Sequence, residues 1–176
     1  DEGIRYDASL EALAGLKTVS EGGVITAGNA SQITDGASAI MVCNEEGLKK
    51  ITVDPKALIK TITVVGDDPV YMLTGPIPAT KLALRKANLS INDIDLYEVN
   101  EAFAPVPLAW AAELDADKDK LNVNGGAIAL GHPLGATGTK LMTTLVHELE
   151  RRKGKYALQA ICEGGGTANA TIIERL

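Results

Sequence analysis

The chain has 176 residues, and 17 Lys+Arg against 23 Asp+Glu give it a net charge of −6 and a pI near 4.9. An acidic balance without a basic stripe excludes nucleic acid or an anionic membrane surface as the main partner. No apolar run approaches the roughly 20 residues that a membrane span requires.

Hydrophobic residues make up 45% and aromatics only 3%, with 18 Gly, so the core is built of Ala, Val, Ile and Leu. That suits closely packed helix-on-sheet layers better than an aromatic-rich sandwich. Cys43 and Cys162 are too few for a disulfide framework, and a reducing, cytoplasmic setting is expected. Asp1-Glu2-Gly3 has neither a basic region nor an apolar stretch, so no signal peptide is read there.

In chain order, residues 9–16 predict a short helix, and Val24-Ile25-Thr26 a short strand running into Gly28-Asn29-Ala30-Ser31. Residues 37–43 are a continuous small-apolar run, the pattern of a strand buried on both faces. Asn44 is expected to cap a helix through about Lys50, with a boundary at Asp54-Pro55. Residues 58–65 read as a strand, and Pro76 and Pro78 suit the first turn of a helix reaching Ala87. Residues 94–99 read as another strand. Phe103, Val106, Pro107, Trp110, Ala111 and Leu114 form a helical stripe. Leu134, Gly138, Leu141, Met142, Leu145 and Leu149 repeat the pattern, and residues 156–162 and 170–173 close the chain as strands. The alternation is that of an α/β fold.

Three stretches concentrate chemistry. His132, within Gly125-Gly126-Ala-Ile-Ala-Leu-Gly131-His132-Pro133, precedes a proline able to start the long helix. The positive helix end would keep its ring neutral, as a general base requires. The same residues read equally as a glycine turn with a satisfied histidine. Cys162 leads into Gly164-Gly165-Gly166, which sets a thiol beside backbone N–H groups able to bind an oxyanion, or is a buried Cys before a turn. Asn100-Glu101-Ala102-Phe103 falls at a strand-to-helix junction, where α/β sheets bind ligands and where an Asn also serves as a helix cap. His147, Asp67-Asp68 and residues 115–120 read as solvated surface. Two His and two Cys without ligand spacing exclude a zinc site. Gly131, Gly135 and Gly138 lack the Gly-x-Gly-x-x-Gly spacing of a dinucleotide loop.

Taken together these motifs resemble the thiolase family. Asn100-Glu-Ala-Phe, Gly125-Gly-Ala-Ile-Ala-Leu-Gly-His132-Pro and Cys162-x-Gly-Gly-Gly match its three C-terminal active-site motifs in order. Gly28-Asn-Ala-Ser31 with Asp35-Gly-Ala, and Met72 before Gly75-Pro-Ile-Pro, are similar to further thiolase stretches.

The resemblance implies a thiolase-like layered α/β/α fold with mixed sheets. Residues 1–55 would be the end of the loop region and the last part of the N-terminal domain, and residues 56–176 the C-terminal domain. It implies reversible Claisen condensation and CoA-dependent thiolysis of 3-ketoacyl-CoA. Catalytic roles would fall to His132, Cys162, Asn100 and the Gly164 N–H, and Ser31, Met72 and Phe103 would line the pantetheine and acyl tunnel. No permanently bound cofactor or metal is implied; CoA and acyl-CoA are the substrates. The family's nucleophilic cysteine belongs to an N-terminal half outside this sequence, and Cys43 has no glycine or serine signature to replace it. A homodimer or homotetramer is the family's expectation. Glu163 and Thr167-Ala168-Asn169 depart from the family's usual residues around the Gly triplet. The alternative is a catalytically inactive module that binds CoA or acyl-CoA.

Overall fold

The computed structural model describes residues 3–176. Asp1 and Glu2, on which the reading of no leader partly rests, lie outside the described residues. A four-stranded sheet in the order β1-β4-β3-β2 organises the chain. The strands are β1 (Ala57–Gly66), β2 (Leu96–Val99), β3 (Tyr156–Glu163) and β4 (Thr167–Arg175). β4 runs antiparallel to both β1 and β3, while β2 and β3 are parallel, so the sheet is mixed. Parallel strands need a crossover, and α4 (Pro105–Leu114) and α6 (Thr137–Arg152) lie in the β2-to-β3 connection.

One face carries α3 (Pro76–Ala87) and α4. Ala79, Ala83, Val106, Trp110 and Ala111 pack there on Tyr97, Val99, Leu158, Ala160, Ala170 and Ile172. The early prolines of both helices sit in the first turn, where the missing N–H has no intrahelical acceptor. α3 ends at Asn88 in the left-handed conformation, φ 54°, with basic Arg85 and Lys86 against its negative end. The other face carries α6, whose Leu145 and Leu149 pack on Leu96, Ala157 and Ile173. The result is the expected α/β/α layering. Trp110, fully buried, donates Nε1–H to Thr80 Oγ1 at 2.9 Å and meets the Tyr97 ring edge-on at 5.2 Å.

The first third differs from its sequence pattern. Ser9 caps α1 (Leu10–Ala14), and Asn44 caps α2 (Glu45–Leu48) through Oδ1 to the Gly47 N–H, both close to expectation. The strand expected at Val24-Ile25-Thr26 is only one bridge, Thr18 to Thr26. The turn at Gly22, φ 69°, closes it tightly, and Asn29 Oδ1 takes the Thr26 N–H that would extend it. Residues 37–43 form no strand either, and Met41 and Val42 are 73% and 69% exposed. A doubly buried strand needs paired strands on its edges and cover on both faces, and among the described residues no strand pairs with this segment. The long helix also begins later than the Leu134 stripe suggests. Ala136 and Thr137 donate their N–H to Pro133 O, so residues 133–136 are a turn and Leu134 stays 65% exposed.

Candidate active site

Because β2 and β3 are parallel, their carboxyl ends share one edge, and chemistry-bearing residues follow each strand there: Asn100 after β2, Cys162 at the end of β3. A cavity of about 590 Å3 opens at that edge. Ser31, Met72, Phe103, His132, Cys162 and Gly164 all line it, together with Thr137 and Glu163. Asn100 is 1% exposed and reaches the cavity through His132.

The His132 ring is fixed at both nitrogens. Nδ1 lies 2.6 Å from Thr137 Oγ1, and Nε2 lies 3.3 Å from Asn100 Nδ2. The Thr137 hydroxyl gives its own hydrogen to Pro133 O at 3.0 Å, so towards Nδ1 it accepts. Nδ1 therefore carries the ring proton, and the lone pair of Nε2 faces Asn100 and the cavity. Burial, and after it the positive charge of Lys140, hold the His132 pKa below its ordinary value. Burial and Lys140, rather than a helix starting at Pro133, are what favour the neutral ring. Asn100 Oδ1 is buried without a donor among the described residues.

Burial, then the neighbouring Glu163 charge, pushes the Cys162 thiol up, although a bond to its own backbone opposes them. Burial thus favours the protonated thiol at Cys162, which can give a proton and, once it has, take one back as the thiolate. Beyond it Gly165 and Gly166 have φ of 78° and 81°. A Cβ at Gly166 would sit 2.8 Å from Asp67 O, so only glycine lets this turn press on the loop after β1. A Cβ at Gly164 would meet nothing within 4 Å, which leaves its backbone open to the cavity.

That loop is more ordered than a solvated reading implies. Asp68 Oδ1 accepts from Val70 and Tyr71 N–H at 2.7 and 3.3 Å, and Asp67 Oδ2 accepts from Thr74 Oγ1 at 2.8 Å. Met72 follows with φ 52°, an uncommon left-handed residue, and lines the cavity. Ser31 arrives from the other side. Its N–H donates to Ala102 O at 3.1 Å, Ala104 N–H donates to Asn29 O at 2.9 Å, and His132 N–H donates to Gln32 O at 2.8 Å. Cys43 is exposed and does not line the cavity. His147, an exposed residue 3.7 Å from Glu150, is surface as read.

Sequence reasoning missed the parts that hold the site. Thr137 sets the histidine's tautomer, and a hydroxyl five residues after a His, across a proline, is the signal it left. Asn100 does not cap α4, whose N-cap position is Ala104, and Glu101 accepts from Asn122 Nδ2 at 2.9 Å and Ile128 N–H at 3.1 Å. Among the described residues no cluster of His, Cys, Asp or Glu could hold a metal ion, and no helix is long and apolar enough to cross a membrane.

A mixed sheet between helix layers thus carries a histidine, a cysteine and an asparagine at its carboxyl edge. The thiolase C-terminal domain family matches residues 53–175, and the thiolase N-terminal domain family matches residues 1–46. A steroid 3-ketoacyl-CoA thiolase of Mycobacterium tuberculosis is 60% identical over 176 residues, all of this chain and 43% of that protein. The mitochondrial 3-ketoacyl-CoA thiolase of Homo sapiens is 51% identical over 99% of this chain and 44% of its own length. The crystal structure of the human mitochondrial enzyme superposes with a TM-score of 0.89 at 49% identity, covering 97% of this chain and 44% of that one. That of a Bacillus anthracis acetyl-CoA acetyltransferase reaches 0.93 at 44% identity, covering 98% and 44%. The chain belongs to the thiolase family. It spans less than half the length of the relatives it matches.

Proposed function

We propose that the chain carries the acid–base half of a thiolase site, for reversible Claisen condensation and CoA-dependent thiolysis of 3-ketoacyl-CoA. The observation that carries the reading is a neutral His132, its Nε2 lone pair aimed at Asn100, on the wall of the cavity that Cys162 also lines.

In thiolysis a cysteine thiolate, supplied from the N-terminal half of the fold, attacks the 3-keto carbon. His132 Nε2 takes that thiol's proton. The developing oxyanion lies at His132 and at a water hydrogen-bonded to Asn100, whose buried Oδ1 has an acceptor site to offer. The Cα–Cβ bond breaks, Cys162 gives its proton to the departing acetyl-CoA enolate, and the Gly164 N–H holds the enolate oxygen. CoA thiol then gives its proton to the Cys162 thiolate and takes the acyl group, and the enzyme cysteine leaves as a thiolate that recovers its proton from His132. In condensation Cys162 first gives its proton to the CoA thiolate that leaves as the enzyme cysteine is acetylated, and as the thiolate then removes a proton from the methyl group of a second acetyl-CoA. Ser31, Met72 and Phe103 would flank the pantetheine arm and acyl chain. No permanent cofactor or metal enters this scheme.

The same reading places residues 1–55 with the N-terminal domain and its loop region, and residues 56–176 as the C-terminal domain. The two family matches, meeting between residues 46 and 53, support that division. Cover by the N-terminal half, and assembly as a homodimer or homotetramer, suit the exposed apolar residues Met41, Val42, Ile62 and Val64. The cytoplasm, a reducing compartment, suits a site that works through free thiols.

The test is thiolysis and condensation by the protein as its own gene produces it, with and without Cys162→Ala. We expect turnover that the substitution lowers at least about 1,000-fold, the scale of losing a general acid–base. Saturable CoA binding with no turnover would instead establish the inactive acyl-CoA-binding module.

A further inference from the structure

β2 is an edge strand, and its open side is closed by a side chain. Leu121 bridges Tyr97, and Asn122, in the left-handed conformation at φ 48°, turns its amide onto Val99. Asn122 Oδ1 accepts the Val99 N–H, and Nδ2 donates to Val99 O, both at 2.9 Å, so the amide imitates the missing strand. Those two bonds fix which end of the amide is nitrogen. The second Nδ2 hydrogen goes to Glu101 Oε1 at 2.9 Å. The other oxygen of Glu101 accepts the N–H of Ile128, in the first turn of the short helix α5 (Ala127–Leu130), at 3.1 Å.

The carboxylate lies flat against the backbone at Gly126, where a Cβ would stand 2.0 Å from Glu101 Cδ. No other residue type leaves room for it. From Ile128 the turn runs directly to Gly131 and His132, and from Glu101 the chain runs back one residue to Asn100. Each member of the Asn100–His132 pair therefore sits on a separate loop, and Glu101 joins the two.

We propose that Glu101 is a positioning residue: its carboxylate latches the 126–131 turn to the end of β2 and so holds His132 Nε2 opposite Asn100 Nδ2. The inference rests on the thiolase reading for its catalytic consequence and on geometry alone for its structural one. Glu101 does not line the cavity, so it acts through the pair and not on substrate.

Two substitutions attack the latch from opposite sides. Glu101→Ala removes the carboxylate; Gly126→Ala keeps it and fills its seat. Both are expected to lower kcat about 100-fold, the scale of a misplacement near 1 Å, with KM within about twofold. The double variant should be no slower than either single one, because both break the same contact. Glu101→Gln, which keeps the shape and one acceptor oxygen, should recover part of the loss. Unchanged kcat in Glu101→Ala, additive losses in the double variant, or a rise in KM alone would each overturn the proposal.

A second readout needs no turnover. NMR titration of the His132 ring should move towards the ordinary histidine value in both single variants as the ring loosens from its buried seat. An unmoved titration would overturn the positioning role even if the amide of Ile128 lost its protection. Absence of thiolase activity in the unsubstituted protein would sink the functional reading, and the ring titration would then decide the latch by itself.

Discussion

The two faces of the sheet are built to different rules. On the α3/α4 face every buried polar side chain has a partner within the fold. Thr63 Oγ1 donates to Ala79 O or Ala170 O, and Thr80 accepts the Trp110 Nε1–H. On the α6 face the inward positions of β2 run Leu96, Glu98 and Asn100, apolar first and polar towards the carboxyl end, and Gln159 lies beside Glu98 on β3. Both buried acceptors that lack a donor among the described residues, Asn100 Oδ1 and Gln159 Oε1, lie on this face. One face pairs its buried polar groups within the fold, and the other keeps two buried acceptors without a donor among the described residues.

The largest difference should appear in stability. Trp110→Ala removes the biggest fully buried side chain of the first face, its bond to Thr80 and its contact with Tyr97. We expect a loss of about 3–5 kcal/mol in denaturant melts, enough to unfold much of the population at 37 °C. Leu10→Ala, in α1 and 81% exposed, should change stability by less than about 0.5 kcal/mol. A mild Trp110→Ala would mean that the α3/α4 face does not dominate stability.

Glu98 gives the next contrast, read through pH. It is 2% exposed, and burial followed by the Glu101 charge pushes its pKa up from 4.5 to about 8, against an opposing pull from Lys140. Between these two pH values the native state keeps a proton that the unfolded chain has released. Native stability therefore falls as pH rises from 4.5 towards 8 and is level above, by up to about 5 kcal/mol in all. The protonated carboxyl also offers an O–H beside Gln159, its neighbour across the parallel ladder, whose Oε1 has no donor. Glu98→Gln should abolish this slope, so the gap between the two proteins should widen from pH 5 to pH 8 in the variant's favour. Parallel stability curves would show that the polar row carries no such cost.

What the sequence made legible follows the same division. The stripe at Val106, Pro107, Trp110 and Ala111 is buried as its spacing predicts, since an apolar helix face on a sheet leaves a period of 3.6. The motifs around Asn100, His132 and Cys162 mark residues that the sheet edge brings to one cavity. Less was readable where the outcome depends on neighbours. Residues 37–43 have the composition of a doubly buried strand, but composition says nothing about whether partner strands are supplied, and here the segment is exposed. The His132 ring was read as governed by a helix start at Pro133. The start at Thr137 depends on the turn at 133–136, and the glycines that permit such a turn fit either register. Glu101 and Asn122 were invisible as a pair because 21 residues and a whole helix separate them.

The smallest expected effect isolates how the α6 face directs a proton. Thr137 begins α6 and is 3% exposed, and its hydroxyl donates to Pro133 O while accepting from His132 Nδ1. Thr137→Val keeps the branched shape and removes the acceptor, leaving a half-buried Nδ1–H unpaired at a cost of about 1 kcal/mol. The ring then loses one of the two contacts that keep its proton on Nδ1, and only Asn100 Nδ2 at Nε2 still opposes the exchange. In the other tautomer Nε2–H would point at the Asn100 amide, 3.3 Å away, donor against donor, and the lone pair would no longer face the cavity. Imidazole 15N shifts distinguish the two forms. The unsubstituted protein should show the Nδ1–H form, and Thr137→Val a mixture with a correspondingly lower kcat at unchanged KM. The same tautomer in both proteins would mean that Asn100 alone orients the ring. A mixture would show that a single hydroxyl at the start of α6, adding little to stability, decides which nitrogen can act as the base.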